Sequence, residues 1–90
     1  VHNPLGPIST AANVHFNLSV PNFGIMEQPG LPGHMSDVFP VQMKWEAGYL
    51  LPPTAPGLGI EIDFDAYKKY PPRPWEPPQT RRLDGSVTNW

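Results

Sequence analysis

Two residues of this 90-residue chain place an acid–base side chain where an enzyme could use it. His2 directly precedes a proline- and glycine-containing loop that opens a predicted helix, and Glu27 ends the predicted strand that follows. In parallel α/β sheets such positions fall at the carboxyl edge of the strands, where active sites collect. We therefore expect both side chains to reach the same rim. On spacing alone, a structural histidine and a solvated or paired carboxylate remain alternatives.

The other histidines are weaker candidates for chemistry. His15 lies one turn from Ala11 and Ala12 on the predicted helix, which favours a packing or surface role, and His34 follows Gly33 in a long loop, which favours solvent exposure. The chain contains no Cys, so neither a disulfide framework nor a Cys-rich metal site is available to it.

The elements that must position His2 and Glu27 lie in the first 28 residues. Pro7 suits the first turn of a helix. Apolar residues then recur at three- and four-residue steps as far as Leu18, and Pro21 ends the pattern, which predicts a helix over 7–19. Residues 23–28 are mostly apolar or small on both faces until Glu27 near the end, which is typical of a short strand of a parallel sheet. A long loop over 29–40 is expected to follow.

The remaining residues, 29–90, are predicted to be irregular and rich in proline. From residue 41 onward the sequence predicts a hairpin over 41–51 turning at 46–48, a helix over 64–70 with Asp63 as its N-cap, a polyproline-like segment over 71–78, and a hairpin around Asp84 and Gly85. Neither 1–28 nor 29–90 has an evident core of its own.

Composition excludes several classes of protein. Hydrophobic residues make up 39%, charged residues 16%, and the net charge is −2, which argues against disorder despite 14 Pro and 8 Gly. No run approaches the roughly 20 apolar residues of a membrane span, and no secretory signal precedes the first element. Six scattered basic residues argue against nucleic-acid binding. We expect a cytoplasmic protein whose small core is completed by something else.

Four blocks in order carry a family resemblance: HNPLGPISTAA (2–12), PNFGIME (21–27), PGLGIEID (56–63) and RLDGSVTNW (82–90). They resemble the C-terminal part of the mandelate racemase/muconate lactonizing enzyme branch of the enolase superfamily, and most closely its galactonate dehydratase-like sugar-acid dehydratases. The resemblance implies an α/β fold, the end of a (β/α)8 barrel. Residues 1–28 would be the loop after strand 7, helix 7 and strand 8. Residues 29–90 would pack on a capping domain, so the chain is not a complete fold.

The resemblance also implies a reaction, in which the proton α to a carboxylate is abstracted and the β-hydroxyl leaves as water. His2 matches the family's seventh-strand histidine, the catalytic base or acid of a His–Asp dyad. Glu27 matches the eighth-strand glutamate, which binds the substrate carboxylate and must carry a proton, so its pKa must be raised. The short neutral loop at 5–7 argues against mannonate as the substrate.

The partners implied by the resemblance lie mostly outside this chain. The intact enzyme would bind Mg²⁺ through carboxylates upstream of Val1, and no metal ligand is expected in this chain. The dyad aspartate is also absent from it. A small sugar acid, the rest of the barrel and the capping domain are the expected partners, in a homo-oligomer.

Two alternatives stay open. A racemase or epimerase of the same superfamily would begin with the same proton abstraction. In a different class, Lys68 followed by the P-x-x-P pattern of 71–74 fits a proline-rich ligand of SH3-type grooves. That module requires 68–78 to be exposed and extended, whereas the dehydratase interpretation requires Trp75 and Trp90 to pack on a barrel or cap.

Overall fold

Helix α1 (Pro7–Ser19) dominates the computed structural model, which describes residues 1–28, 30, 33–74 and 80–88. Pro7 occupies the first turn, where its missing N–H costs nothing. The first hydrogen bond runs from the Thr10 N–H to the Gly6 carbonyl, at 3.0 Å. Val20 is extended and Pro21 follows, so the helix ends at Ser19. The predicted helix over 7–19 is confirmed.

One face of α1 contributes to a small core. Its buried residues are Pro7, Thr10, Ala11, Val14 and Asn17. Ala11 and Val14 pack with Met43, and three partly buried side chains, Met26, Leu50 and Ile60, cover this cluster. The core therefore joins the helix to the segments on either side of the chain midpoint.

Residues 23–28 form no β-ladder in the structure, although the sequence predicts a strand there. A parallel strand is held by hydrogen bonds to neighbouring strands, and the described residues offer none beside this segment. A strand at 23–28 thus stays a prediction for a longer protein that supplies such neighbours.

The predicted hairpin over 41–51 is present but shorter. Strand β1 (Trp45–Glu46) pairs antiparallel with β2 (Tyr49–Leu50). The turn consists of Ala47 and Gly48, which have φ values of 50° and 86°. Glu46 pairs with Tyr49, so it belongs to a strand, whereas the sequence placed it in the turn.

A second packing unit joins two short helices. Helix α2 (Met35–Val38) lies within the predicted loop 29–40, and α3 (Phe64–Tyr67) begins after Asp63 and packs against it. A single turn such as α2 is too short to show a helical period, so the prediction of an uninterrupted loop was wrong. The Asp63 N–H donates to the Val38 carbonyl at 2.9 Å, which ties the two helices together.

The N-cap of α3 is confirmed but its predicted end at residue 70 is wrong. Asp63 Oδ1 accepts hydrogen bonds from the N–H groups of Asp65 and Ala66, both at 2.9 Å. Beyond Tyr67 the bonds tighten to three-residue steps, from Lys69 to Ala66 and from Tyr70 to Tyr67.

The C-terminal hairpin has the predicted position. Strands β3 (Thr80–Arg81) and β4 (Val87–Thr88) pair antiparallel across Asp84 and Gly85. Asp84 Oδ1 accepts from the Ser86 N–H at 2.9 Å and from its hydroxyl at 2.7 Å, and Gly85 has a φ of 83°.

The chain exposes more surface than a self-contained domain of its size. Its accessible surface is 7354 Å², against about 5,200 Å² expected for a folded monomer of this mass. The radius of gyration is 16.8 Å, against about 12 Å for a compact domain of this length. The larger accessible surface and radius agree with a part of a longer protein whose apolar faces are covered by the remainder. No described helix has the length and apolar character needed to cross a membrane.

Candidate active site

His2 and Glu27 are brought into direct contact. His2 Nδ1 lies 2.6 Å from Glu27 Oε2, and the two side chains are 79% and 51% exposed. Helix α1 and the turn at 21–22 reverse the chain, so that residue 27 returns beside residue 2. The two side chains therefore lie together, while the sheet rim expected beneath them and their catalytic roles stay predictions.

Glu27 is held as a carboxylate. The Asn3 backbone N–H donates to Oε2 at 2.8 Å and is the largest cause of a lowered pKa of Glu27. His2 lowers this pKa further through its charge and its hydrogen bond, while partial desolvation opposes the shift. The pKa of Glu27 is thus shifted in the direction opposite to the one that the family resemblance requires, because the Asn3 N–H and His2 both lie against its Oε2. In this geometry Glu27 accepts hydrogen bonds rather than donating them.

One atom of each side chain stays available to a ligand. Within the part of the chain that the structure describes, Glu27 Oε1 and His2 Nε2 take part in no hydrogen bond. An imidazole whose Nδ1–H points at a carboxylate carries its free lone pair on Nε2. This arrangement suits proton transfer at Nε2, and hydrogen bonding to a ligand hydroxyl at Oε1.

Asn3 is a buried polar residue beside the candidate site that the sequence analysis missed. Its side chain is completely buried and forms hydrogen bonds with Ser9, Thr10 and Gln28. The available signal was weak: an Asn beside the candidate histidine, with two hydroxyl residues one turn into the helix that follows.

His15 and His34 lie away from this site. His15 is half-buried, and its Nε2 is buried without a partner among the described residues. His34 is exposed and stacks on Tyr70, with ring centroids 4.9 Å apart. Tyr70 Oη donates to Asp37 Oδ2 at 2.6 Å, and this bond raises the pKa of Tyr70. Both histidines fit the packing and surface roles expected of them.

Two grooves formed by described residues lie away from His2 and Glu27. A groove of about 690 Å³ lies between α2, α3 and Tyr70, and its lining is mostly apolar. A second, of about 490 Å³, lies between α1 and the first hairpin. The chemistry of the two facing side chains, rather than the size of a cavity, identifies the candidate site.

No three His, Asp or Glu side chains converge on a possible metal position within residues 1–28, 30, 33–74 and 80–88. The described residues therefore do not fit a magnesium site.

The proline-rich segment is exposed over 71–74. Next to it, Lys68 Nζ pairs with Asp65 Oδ1 at 2.7 Å and half-buried Tyr70 is bonded to Asp37. Exposure of 71–74 suits a partner-binding peptide, whereas an anchored Tyr70 suits a connector. Trp75, Trp90 and residues 76–78 lie outside the described residues.

The family profile described as "Enolase C-terminal domain-like" matches residues 1–66 of this chain. The matched region includes His2, Glu27, the core and all of helix α3 except Tyr67, and it therefore extends across the predicted division at residue 28.

Several dehydratases are similar to nearly the whole chain. A D-galactonate dehydratase family member of Streptomyces bingchenggensis is 37% identical over 99% of this chain and 22% of its own length. D-mannonate dehydratases of Rhizorhabdus wittichii and Caulobacter sp. (strain K31) are 37% and 41% identical, each over 96% of this chain and 21% of their own length. The chain thus spans about a fifth of these relatives. Similarity does not separate galactonate from mannonate, so the argument from the loop at 5–7 gains no support.

Proposed function

Because this chain belongs to the enolase C-terminal domain-like family, we propose that it is the C-terminal part of a sugar-acid dehydratase. Relatives named as dehydratases match it over 96–99% of its length and extend well beyond it. The contact between His2 and Glu27 carries the proposal, since it supplies a proton-transfer atom and a hydrogen-bonding oxygen at one place.

The proposed reaction removes water from an aldonic acid. The C–H bond α to the carboxylate breaks, and His2 Nε2 either accepts this proton or returns one to the leaving β-hydroxyl. The C–O bond at the β carbon then breaks, water departs, and the enol product becomes a 2-keto-3-deoxy acid. Glu27 Oε1 accepts a hydrogen bond from a substrate hydroxyl, while Oε2 keeps His2 Nδ1 engaged.

The resemblance assigns Mg²⁺ to the intact enzyme, where it would stabilise negative charge on the substrate. Its ligands would belong to the part of the enzyme outside this chain. The acid or base that complements His2 would also come from there, as would the capping domain.

The racemase alternative differs in its product and not in its first step. Incubation of the intact enzyme with a panel of aldonic acids distinguishes the two, since a dehydratase forms 2-keto-3-deoxy acids and a racemase or epimerase forms diastereomers of its substrate. The 90-residue chain alone, given Mg²⁺ and the same panel, is expected to form neither. Product from the isolated chain would contradict the proposal that it needs the rest of the enzyme.

Kinetics of variants in the intact enzyme test the site itself. His2→Asn is expected to lower kcat and kcat/KM together by about 10²–10⁴-fold, the usual contribution of general acid–base catalysis. Glu27→Gln keeps the shape of the side chain, so a smaller loss that falls partly on KM is expected. His34→Asn, at an exposed histidine away from the site, serves as the matched control and should change neither parameter by more than a few-fold.

Exchange of the substrate α-proton in D₂O assigns the role of His2. If His2 is the base, His2→Asn abolishes this exchange. Exchange at the wild-type rate in His2→Asn would assign proton abstraction to a residue outside the chain and leave His2 as the acid for water departure. Full activity in both His2→Asn and Glu27→Gln would overturn the proposed site.

A further inference from the structure

Asn3 is the most deeply buried polar residue at the candidate site. Its side chain is 0% exposed, although its neighbours His2 and Pro4 are exposed. The amide Nδ2 donates to Thr10 Oγ1 at 3.0 Å, and Oδ1 accepts from the Ser9 hydroxyl at 2.9 Å. The side chain is thereby fixed to the first turns of α1.

The same side chain reaches the segment that carries Glu27. Asn3 Nδ2 also donates to Gln28 Oε1 at 3.4 Å, and Thr10 Oγ1 donates to that oxygen at 3.2 Å. Asn3, Thr10 and Gln28 form a closed triangle of hydrogen bonds. The triangle joins Asn3 to Gln28, which lie 25 residues apart in sequence. Asn3 directly follows His2, and Gln28 directly follows Glu27.

We infer that Asn3 is the positioning residue of the site: its buried side chain holds its own backbone N–H, and through it the Glu27 carboxylate, at a fixed distance from His2. This inference rests on the proposed function. Asn3 touches neither of the free atoms, His2 Nε2 and Glu27 Oε1, and so acts through its two neighbours.

The side chain matters because the backbone around it has no regular structure. Residues 1–6 precede α1 and belong to no helix or strand, so no ladder fixes the direction of the Asn3 N–H. The bonds to Ser9, Thr10 and Gln28 fix it instead. A displacement of about 1 Å at a reacting group can cost on the order of 10²-fold in rate.

The test uses the intact enzyme and five proteins: wild type, Asn3→Ala, Thr10→Val, Thr10→Ser and Asn22→Ala. Thr10→Val removes the hydroxyl of the triangle with little change of shape, while Thr10→Ser restores it. Asn22 is exposed and forms no hydrogen bond among the described residues, so Asn22→Ala is the matched control. The readouts are kcat/KM and the ¹³C-detected titration of the Glu27 carboxyl group.

Asn3→Ala and Thr10→Val are expected to lower kcat/KM by about 10²-fold and to move the Glu27 titration to higher pH. The titratable groups that face Glu27 are His2 and the Val1 α-amino group, and neither is changed by these substitutions. Thr10→Ser and Asn22→Ala should keep the wild-type titration and stay within a few-fold in kcat/KM. If Asn3→Ala fails to fold, kcat/KM and the Glu27 titration of Thr10→Val alone test the inference.

A purely structural role would lower the melting temperature without moving the Glu27 titration. The inference would be overturned if both Asn3→Ala and Thr10→Val kept the Glu27 titration and the kcat/KM of the wild type. If the wild-type enzyme converts no sugar acid, the proposed function fails, and the Glu27 titration alone still decides whether Asn3 positions this carboxylate.

Discussion

In each of the two acid–base residues, one polar atom already forms contacts with the described residues of the chain and the other does not. Glu27 Oε2 takes both the Asn3 N–H and His2 Nδ1, so protein donors satisfy this oxygen before any ligand arrives. Oε1 and His2 Nε2 keep their hydrogen-bonding capacity. A surface ion pair of this exposure adds little to stability. Its consequence is orientation, since it selects which nitrogen of His2 faces a ligand.

The charge of Glu27 yields a prediction that separates this geometry from the family expectation of a protonated carboxyl group. Since its folded-state pKa is lowered, the contact stabilises the fold above the ordinary pKa of 4.5 and loses that contribution as pH falls through the lowered value. In the intact enzyme, NMR titration should place the Glu27 midpoint below 4.5. In His2→Asn the midpoint should rise but stay below 4.5, because the Asn3 N–H, the largest single cause, still outweighs the opposing desolvation. A wild-type midpoint above 4.5 would instead support a Glu27 that donates to substrate.

Among the elements, those with strong local signals were predictable from sequence. Helix α1 has Pro7 at its start and Pro21 after its end, and both bounds were predicted correctly. The Asp63 cap and the Asp84–Gly85 turn likewise depend on neighbouring residues alone. Helix α2 escaped prediction because four residues show no period, and Asn3 escaped because its partners Thr10 and Gln28 are distant in sequence.

The first hairpin shows why turn positions can be off by one residue. Its two-residue turn requires positive φ at both positions, and such turns prefer Asn-Gly. Here Ala47 occupies the first position with a φ of 50°, so the usual Asn-Gly signal is missing. The turn was therefore predicted to begin one residue too early.

The positive φ of Ala47 makes the stability of the first hairpin testable. An L-residue such as Ala in the left-handed region costs about 1–2 kcal/mol, and Asn tolerates that region better. Ala47→Asn should therefore stabilise the hairpin. The Leu51 amide, which donates to the Lys44 carbonyl at 2.9 Å, reports its opening. We expect its hydrogen exchange in the intact enzyme to slow about fivefold, as about 1 kcal/mol implies. Ala55→Asn, at an exposed residue outside the hairpin, should leave this amide unchanged, and unchanged exchange in Ala47→Asn would contradict the strain argument.

For the molecule as a whole, the surface left uncovered is as informative as the core. Ile25 is 85% exposed and Phe23 46% exposed, although both lie in the segment predicted to be a strand buried on two sides. Within the matched region, Gly59 has a φ of 69°, and a Cβ there would clash with Pro53, so this close packing requires glycine. The chain thus has well-determined local packing beside apolar faces that no described residue covers.

Hydrogen exchange of the whole chain, alone and within the intact enzyme, tests whether other parts of the enzyme cover those faces. The amides of 22–28 have no ladder partner among the described residues, so they should exchange with little protection in the 90-residue chain. The amides in the middle of α1 are protected by helical hydrogen bonds. In the intact enzyme the same 22–28 amides should become strongly protected, because strands on both sides would accept their hydrogen bonds. The exposed apolar segment should also make the isolated chain prone to association, so its oligomeric state is measured at the same concentration. Strong protection of 22–28 in a demonstrated monomer of the isolated chain would show that it completes its own fold, and the proposal that it is one part of a larger barrel would fail.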